Sequence, residues 1–180
     1  NQTMIQPPQP LSKEQLVTLD PTGAPVTNKL PGELRNFCFL LQPNFSMMAL
    51  TSAIDALRTA NLLSEEDLYT FRLVSLDGAA VCSDLGFSAM ADQALEELNF
   101  DHLDAFVVCG GLRVELQTPP KIIRFLRQPE LRKKTLGSLW NGLFALAHAG
   151  VINDKKAVVH RSNRASFRET FADINLKDKA

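Results

Sequence analysis

Between residues 36 and 171, five short apolar runs alternate with stretches of helical periodicity, and that alternation restricts the chain to few architectures. The runs occupy residues 37–41, 71–76, 105–109, 135–139 and 157–159. They are largely continuous rather than alternating apolar with polar, as in strands buried on both faces of a parallel sheet. Helical signals fill the gaps. Ser46 stands where it can cap a helix whose Met47, Leu50, Ile54 and Leu57 recur on one face. Pro119 and Pro120 suit a helix start ahead of Ile122, Ile123 and Leu126. Residues 142–149 read as a third helix stopped by Gly150, and residues 162–171 as a weaker fourth. Strand alternating with helix demands right-handed crossovers, so the expected fold is α/β, a doubly wound parallel sheet sandwiched by helices.

One of these crossovers is unusual. The run Leu136-Gly137-Ser138-Leu139-Trp140-Asn141-Gly142 reads as a sharp strand-to-helix elbow, with small residues at Ser138 and Gly142 bracketing Trp140. In an enzyme built on such a turn the central residue is the nucleophile, and its neighbours stay small so that helix and strand can pack. Trp140 has no nucleophilic atom, only an indole N–H. The turn has the geometry of an active site without its chemistry; the plainer reading makes Trp140 a core aromatic that follows a strand.

Open α/β sheets bind ligands beyond the carboxyl ends of their strands, and that rule selects four loops. Asn44 and Phe45 follow the first strand, Cys109, Gly110, Gly111 and Leu112 end the third, Trp140 and Asn141 follow the fourth, and His160 follows the fifth. Gly110 and Gly111 permit close backbone approach, placing N–H groups to cradle a carboxylate or oxyanion; a turn that needs glycine only for shape reads the same way. Cys109 as a small buried apolar residue competes with Cys109 as a reactive thiol. His160 can act as base, donor or capping residue. His102 beside Asp101 and Asp104, and His148 near a helix C-terminus where the macrodipole favours a cation, have structural explanations. The cations Arg124, Arg127, Arg132, Lys133 and Lys134 read as a solvated face, as do the anions Glu65, Glu66 and Asp67.

Composition sets the boundaries. A chain of 180 residues suits one domain, expected over residues 34–180, and the prolines of residues 1–33 mark a tail or irregular lead-in. A formal net charge of −1 supplies no general attraction to nucleic acid or acidic membranes. Cys38, Cys82 and Cys109 form an odd set without CxxC spacing, which argues against disulfides and zinc and for a reducing cytoplasm. No apolar run suggests a membrane span or a secretion signal, and nothing calls for a cofactor.

The motifs in order resemble a family. Residues 39–50, Phe-Leu-Leu-Gln-Pro-Asn-Phe-Ser-Met-Met-Ala-Leu, continue through Ser52 to Arg58 and into Ala60-Asn61. With Tyr69 to Gly78, Val107-Val108-Cys109-Gly110-Gly111, the elbow followed by Phe144, Leu146 and Gly150, and Val159-His160, they resemble AraC-family transcriptional regulators. The similarity is to members carrying a class I glutamine amidotransferase-like (PfpI-like) N-terminal half, and it covers about residues 36–175. The resemblance implies a flavodoxin-like domain that senses a small-molecule effector, dimerises, and reaches DNA only through a C-terminal helix-turn-helix domain not present in this chain. Superfamily enzymes use an elbow cysteine, a histidine and often a glutamate after the first strand; here Trp140 replaces the cysteine and Asn44-Phe45-Ser46 supplies no glutamate.

A catalytically inactive effector-sensing domain is therefore the leading expectation. Asn44, Phe45, Cys109, Gly110, Gly111, Leu112, Trp140, Asn141 and His160 are its ligand-binding set, and no catalytic or metal residues are assigned. The effector class suggested by an indole face is an amino acid or quaternary-ammonium compound. The alternatives are a superfamily hydrolase or hydratase using Cys109 and His160, and a dimerisation module with an empty pocket.

Overall fold

The computed structural model describes residues 33–64 and 66–177. The expected tail over residues 1–33 lies almost wholly outside them. In chain order the elements are β1 (Arg35–Leu41), α1 (Met47–Ser64), β2 (Tyr69–Ser75), β3 (Val81–Cys82), β4 (Ser88–Ala89), β5 (Gln93–Ala94) and β6 (Ala105–Cys109). They are followed by α2 (Pro120–Leu126), β7 (Thr135–Leu139), α3 (Leu143–His148), β8 (Lys156–Ala157), α4 (Arg164–Thr170) and β9 (Asn175–Leu176).

A five-stranded sheet in the order β5-β2-β1-β6-β7 forms the centre, and all its pairings are parallel. Alternate side chains of the inner strands leave on opposite faces, so two cores form. Cys38, Leu40, Val74, Phe106 and Val108 pack with residues of α2, α3 and α4. Phe37, Phe39, Leu41, Ala105, Val107 and Cys109 pack against Leu50 and Leu57 of α1 and against Phe45. Burial on both faces explains why β1 and β6 lack a polar alternation. The fold is the helix-flanked parallel sandwich expected.

The helix boundaries follow the expected chemistry. Ser46 Oγ accepts a hydrogen bond from the Ala49 N–H at 3.3 Å, and Asp84 Oδ1 accepts from the Met47 N–H at 3.0 Å, so two orphan donors at the start of α1 are satisfied. Pro120 occupies the first residue of α2. Gly150, at φ +71°, ends α3 with its N–H bonded to the Ala147 carbonyl and that of Val151 to Leu146. The cation Arg127 does more than face water: its guanidinium donates to the carbonyls of Ala149 (3.1 Å) and His148 (3.3 Å) at the end of α3.

Two expectations about the strands need correction. Residues 157–159 do not extend the central sheet; β8 stops at Ala157 and pairs in parallel with β9. Ala157 and Val159 are buried in the helix-side core while Val158 is exposed, so this segment covers the core rather than joining the sheet. The fifth central strand is β5, two residues long and too short to leave a periodic signature. Beyond it the open edge of β2 is closed by side chains. The Asn61 amide on α1 bonds both the N–H and the carbonyl of Tyr69, and Asp92 Oδ2 accepts from the Leu73 N–H at 2.7 Å.

Candidate functional site

β7 runs directly into a 3-10 turn, Trp140–Gly142, and then α3. Trp140 has φ +55°, in the left-handed region that a non-glycine residue occupies at a cost of about 1–3 kcal/mol. The elbow is thus real, and Trp140 is its strained central residue. Gly142 has to be glycine because a Cβ there would lie 2.2 Å from the Val108 carbonyl oxygen.

His160 meets the elbow from the segment after β8. Its imidazole lies against the Trp140 indole with ring centroids 4.1 Å apart and planes 25° from parallel. Trp140 is half-buried and His160 exposed, so the pair forms a partly accessible aromatic platform. The backbone of His160 caps the 3-10 turn Arg161–Asn163, and its Nδ1 accepts from the Ser162 N–H at 3.4 Å with the Ser162 hydroxyl 2.7 Å away. Asn44 is the other non-glycine residue at positive φ among the described residues, at +65°, and its N–H donates to the Cys82 carbonyl at 2.9 Å.

The glycine loop behaves differently from the cradle the sequence suggested. The Gly110 N–H donates to the Leu139 carbonyl at 3.0 Å and the Gly111 N–H to Asn141 Oδ1 at 2.9 Å, so both expected anion donors are consumed internally. Asn141, only 3% exposed, also donates from Nδ2 to the Val114 carbonyl at 3.4 Å and so laces the loop to the elbow. Close approach is the reason for both glycines. A Cβ on Gly110 would stand 2.2 Å from Asn141 Oδ1, and one on Gly111 2.5 Å from the Asn44 carbonyl oxygen.

Phe45 and Cys109 are fully buried in the α1-side core. Burial pushes the Cys109 thiol far above its ordinary value, and a thiol held neutral and out of solvent is no nucleophile. The alternative of an enzyme driven by Cys109 and His160 therefore finds no support in this geometry. Of the nine candidate residues, Asn44, Leu112, Trp140 and His160 are half-buried or exposed; Phe45, Cys109, Gly110, Gly111 and Asn141 are buried beneath or between the loops.

His148 also departs from expectation. Its Nδ1 lies 2.9 Å from Thr118 Oγ1, and partial burial lowers its affinity for a proton, against the cation suggested by its place at the end of α3. It borders a groove of about 440 Å³ between the start of α2 and the end of α3, which also includes Glu115, Thr118 and Ile123. None of the nine candidate residues lines that groove. Only the tertiary placement of α3 against α2 creates it, so the sequence held no signal for it.

The sequence pattern of the DJ-1/PfpI family matches residues 35–176. The chain belongs to the DJ-1/PfpI family. Among relatives of this DJ-1/PfpI domain, the HTH-type transcriptional regulator GbdR of Pseudomonas aeruginosa is 31% identical over 157 residues, 87% of this chain and 41% of that protein. The HTH-type transcriptional regulator CdhR of the same species is 34% identical over 142 residues, 79% of this chain and 41% of that protein. A crystal structure of an AraC family transcriptional regulator from Pseudomonas putida is 38% identical, with a TM-score of 0.70 over 79% of this chain and 76% of that one. The chain spans about two-fifths of the length of the curated relatives it matches.

Proposed function

We propose that this DJ-1/PfpI domain is the effector-sensing and dimerisation part of a DNA-binding transcriptional regulator and performs no catalysis itself. The observation that carries this reading is Trp140 at φ +55° on the elbow, where catalysis requires a nucleophile, with the nearby thiol of Cys109 buried and neutral. The relatives named as transcriptional regulators support it. Asn44, Leu112, Trp140 and His160 are the proposed contact residues, and Cys109, Phe45, Gly110, Gly111 and Asn141 hold their loops in place. His160 stacks on one face of the indole, and the proposed effector is an amino acid or quaternary-ammonium compound at this half-buried ring, where cation–π attraction favours a cation by about 0.5–2 kcal/mol.

DNA contact is assigned to a helix-turn-helix domain outside this chain, and dimerisation to surfaces such as the exposed Met48, Leu62 and Leu63 of α1. The chain holds a single tryptophan, so its fluorescence reports the elbow directly. Titration with amino acids and quaternary-ammonium compounds should change that fluorescence and raise the melting temperature for one class. Amidase, protease or hydratase turnover that is lost on Cys109→Ser contradicts the reading.

A further inference from the structure

The hydrogen bonding of His160 defines what kind of group it can offer a ligand. A main-chain N–H can only donate, so the contact from the Ser162 N–H requires Nδ1 of His160 to be an acceptor. The Ser162 hydroxyl lies 2.7 Å from the same atom and 3.3 Å from Asn163 Oδ1, and its single proton, turned to the nearer nitrogen, makes a second bond to the same lone pair in place of the longer Asn163 contact. In the neutral ring the one remaining proton then sits on Nε2. That nitrogen has no hydrogen-bond partner among the described residues, and neither has the indole Nε1–H of Trp140. The stacked pair thus carries two ring N–H donors, and the main-chain donors beside it at Gly110 and Gly111 are already bonded.

We infer that His160 is the specificity-determining donor of the elbow site: its Nε2–H recognises the carboxylate of an acidic or zwitterionic effector. The inference rests on the reading of the elbow as the effector site and adds the chemical group that an effector must bear. It replaces the role a histidine has in superfamily enzymes. A general base must present a lone pair to its substrate, and the Ser162 contact turns that lone pair inward toward the 3-10 turn. Ser162 is the positioning residue that fixes the tautomer. Trp140 supplies the flat support that holds the imidazole plane, and the left-handed backbone at Trp140 sets the direction of that support.

Two measurements on the whole chain test this. Long-range nitrogen–proton NMR of the imidazole should report the Nε2-protonated tautomer for His160; an Nδ1-protonated ring overturns the inference without any ligand. The second measurement is tryptophan fluorescence titration with free amino acids, a betaine-like zwitterion and the carboxamide of each. The carboxylate forms should bind about tenfold more tightly, the share of one charge-assisted hydrogen bond. His160→Gln, whose side-chain NH2 reaches the position of Nε2, should keep that preference, and His160→Ala should abolish it; melting curves establish that both variants are folded. Equal binding of carboxylates and carboxamides by the unaltered chain overturns the role of His160 and leaves the elbow as an effector site. No binding by either set overturns both.

Discussion

Trp140 and His160 stack with ring centroids 4.1 Å apart although they come from separate loops, and the backbone that aims the indole at the imidazole is itself strained. Two opposing effects meet at Trp140. The left-handed φ costs about 1–3 kcal/mol, while the aromatic contact returns about 0.5–1.5 kcal/mol beyond its buried area. Trp140→Gly relieves the strain but gives up the stack and the apolar area the half-buried indole covers, and adds freedom to the unfolded chain, so it should cost about 1 kcal/mol. Trp140→Val keeps the strain, loses the stack and adds β-branching at positive φ, and should cost about 2–3 kcal/mol. Urea denaturation distinguishes them: equal stability of the two variants would mean that φ +55° imposes no strain.

Glycine positions should separate by contact rather than by φ. A Cβ at Gly142 meets the Val108 carbonyl oxygen at 2.2 Å, a clash with backbone that no side chain can relieve. Gly86 has φ +85° but open space around it. Gly142→Ala should therefore cost about 3 kcal/mol or more, and Gly86→Ala only about 1 kcal/mol, the ordinary cost of an alanine in the left-handed region. Circular dichroism melts that placed Gly86→Ala below Gly142→Ala would contradict the close packing of the elbow.

What the sequence made legible were features set by local chemistry. β1 and β6 are buried on both faces and read as apolar runs, and β7, the half-buried edge strand, still packs Leu136 on one core and Leu139 on the other; Ser46, Pro120 and Gly150 mark helix ends through their own backbone or side-chain bonds. The elbow was legible because Gly142 and Trp140 must satisfy strict local sterics. The rest depended on partners distant in the chain. β5 is a strand only because β2 lies beside it, and residues 157–159 carry an apolar pattern that serves core covering as well as pairing. The glycine loop failed as a cradle because Asn141, thirty positions after Gly111, supplies the competing acceptor. No spacing rule reveals that.

The three thiols should react in two classes. Cys82 is exposed on β3, whereas Cys38 and Cys109 are fully buried. Under native conditions a thiol reagent such as dithiobisnitrobenzoate should modify Cys82 rapidly and the other two only at the rate of unfolding. Prompt labelling of Cys109 in the folded chain would reopen the reading of it as a displaced nucleophile.

Stability should fall on both sides of neutrality for separate reasons. Burial raises the thiols of Cys38 and Cys109 above their ordinary value of 9.0, so their contribution is intact below that pH. Above it the unfolded chain ionises while the folded one does not, and each thiol costs about 1.4 kcal/mol per further pH unit. His148 shifts the opposite way: partial burial lowers it from 6.5, so its contribution is intact above that pH and is lost as pH falls, when the unfolded imidazole takes up the proton first. Cys109→Ala should flatten the alkaline limb, and His148→Gln should flatten the acid limb while keeping a hydrogen-bonding group beside Thr118. The check is the free energy of unfolding from urea titrations between pH 5 and about pH 10.5, a range set by these two ordinary values. If each substitution lowers stability equally at every pH, then neither group titrates differently in the folded and unfolded chain, and burial of the thiol and the imidazole is not what shapes the pH dependence.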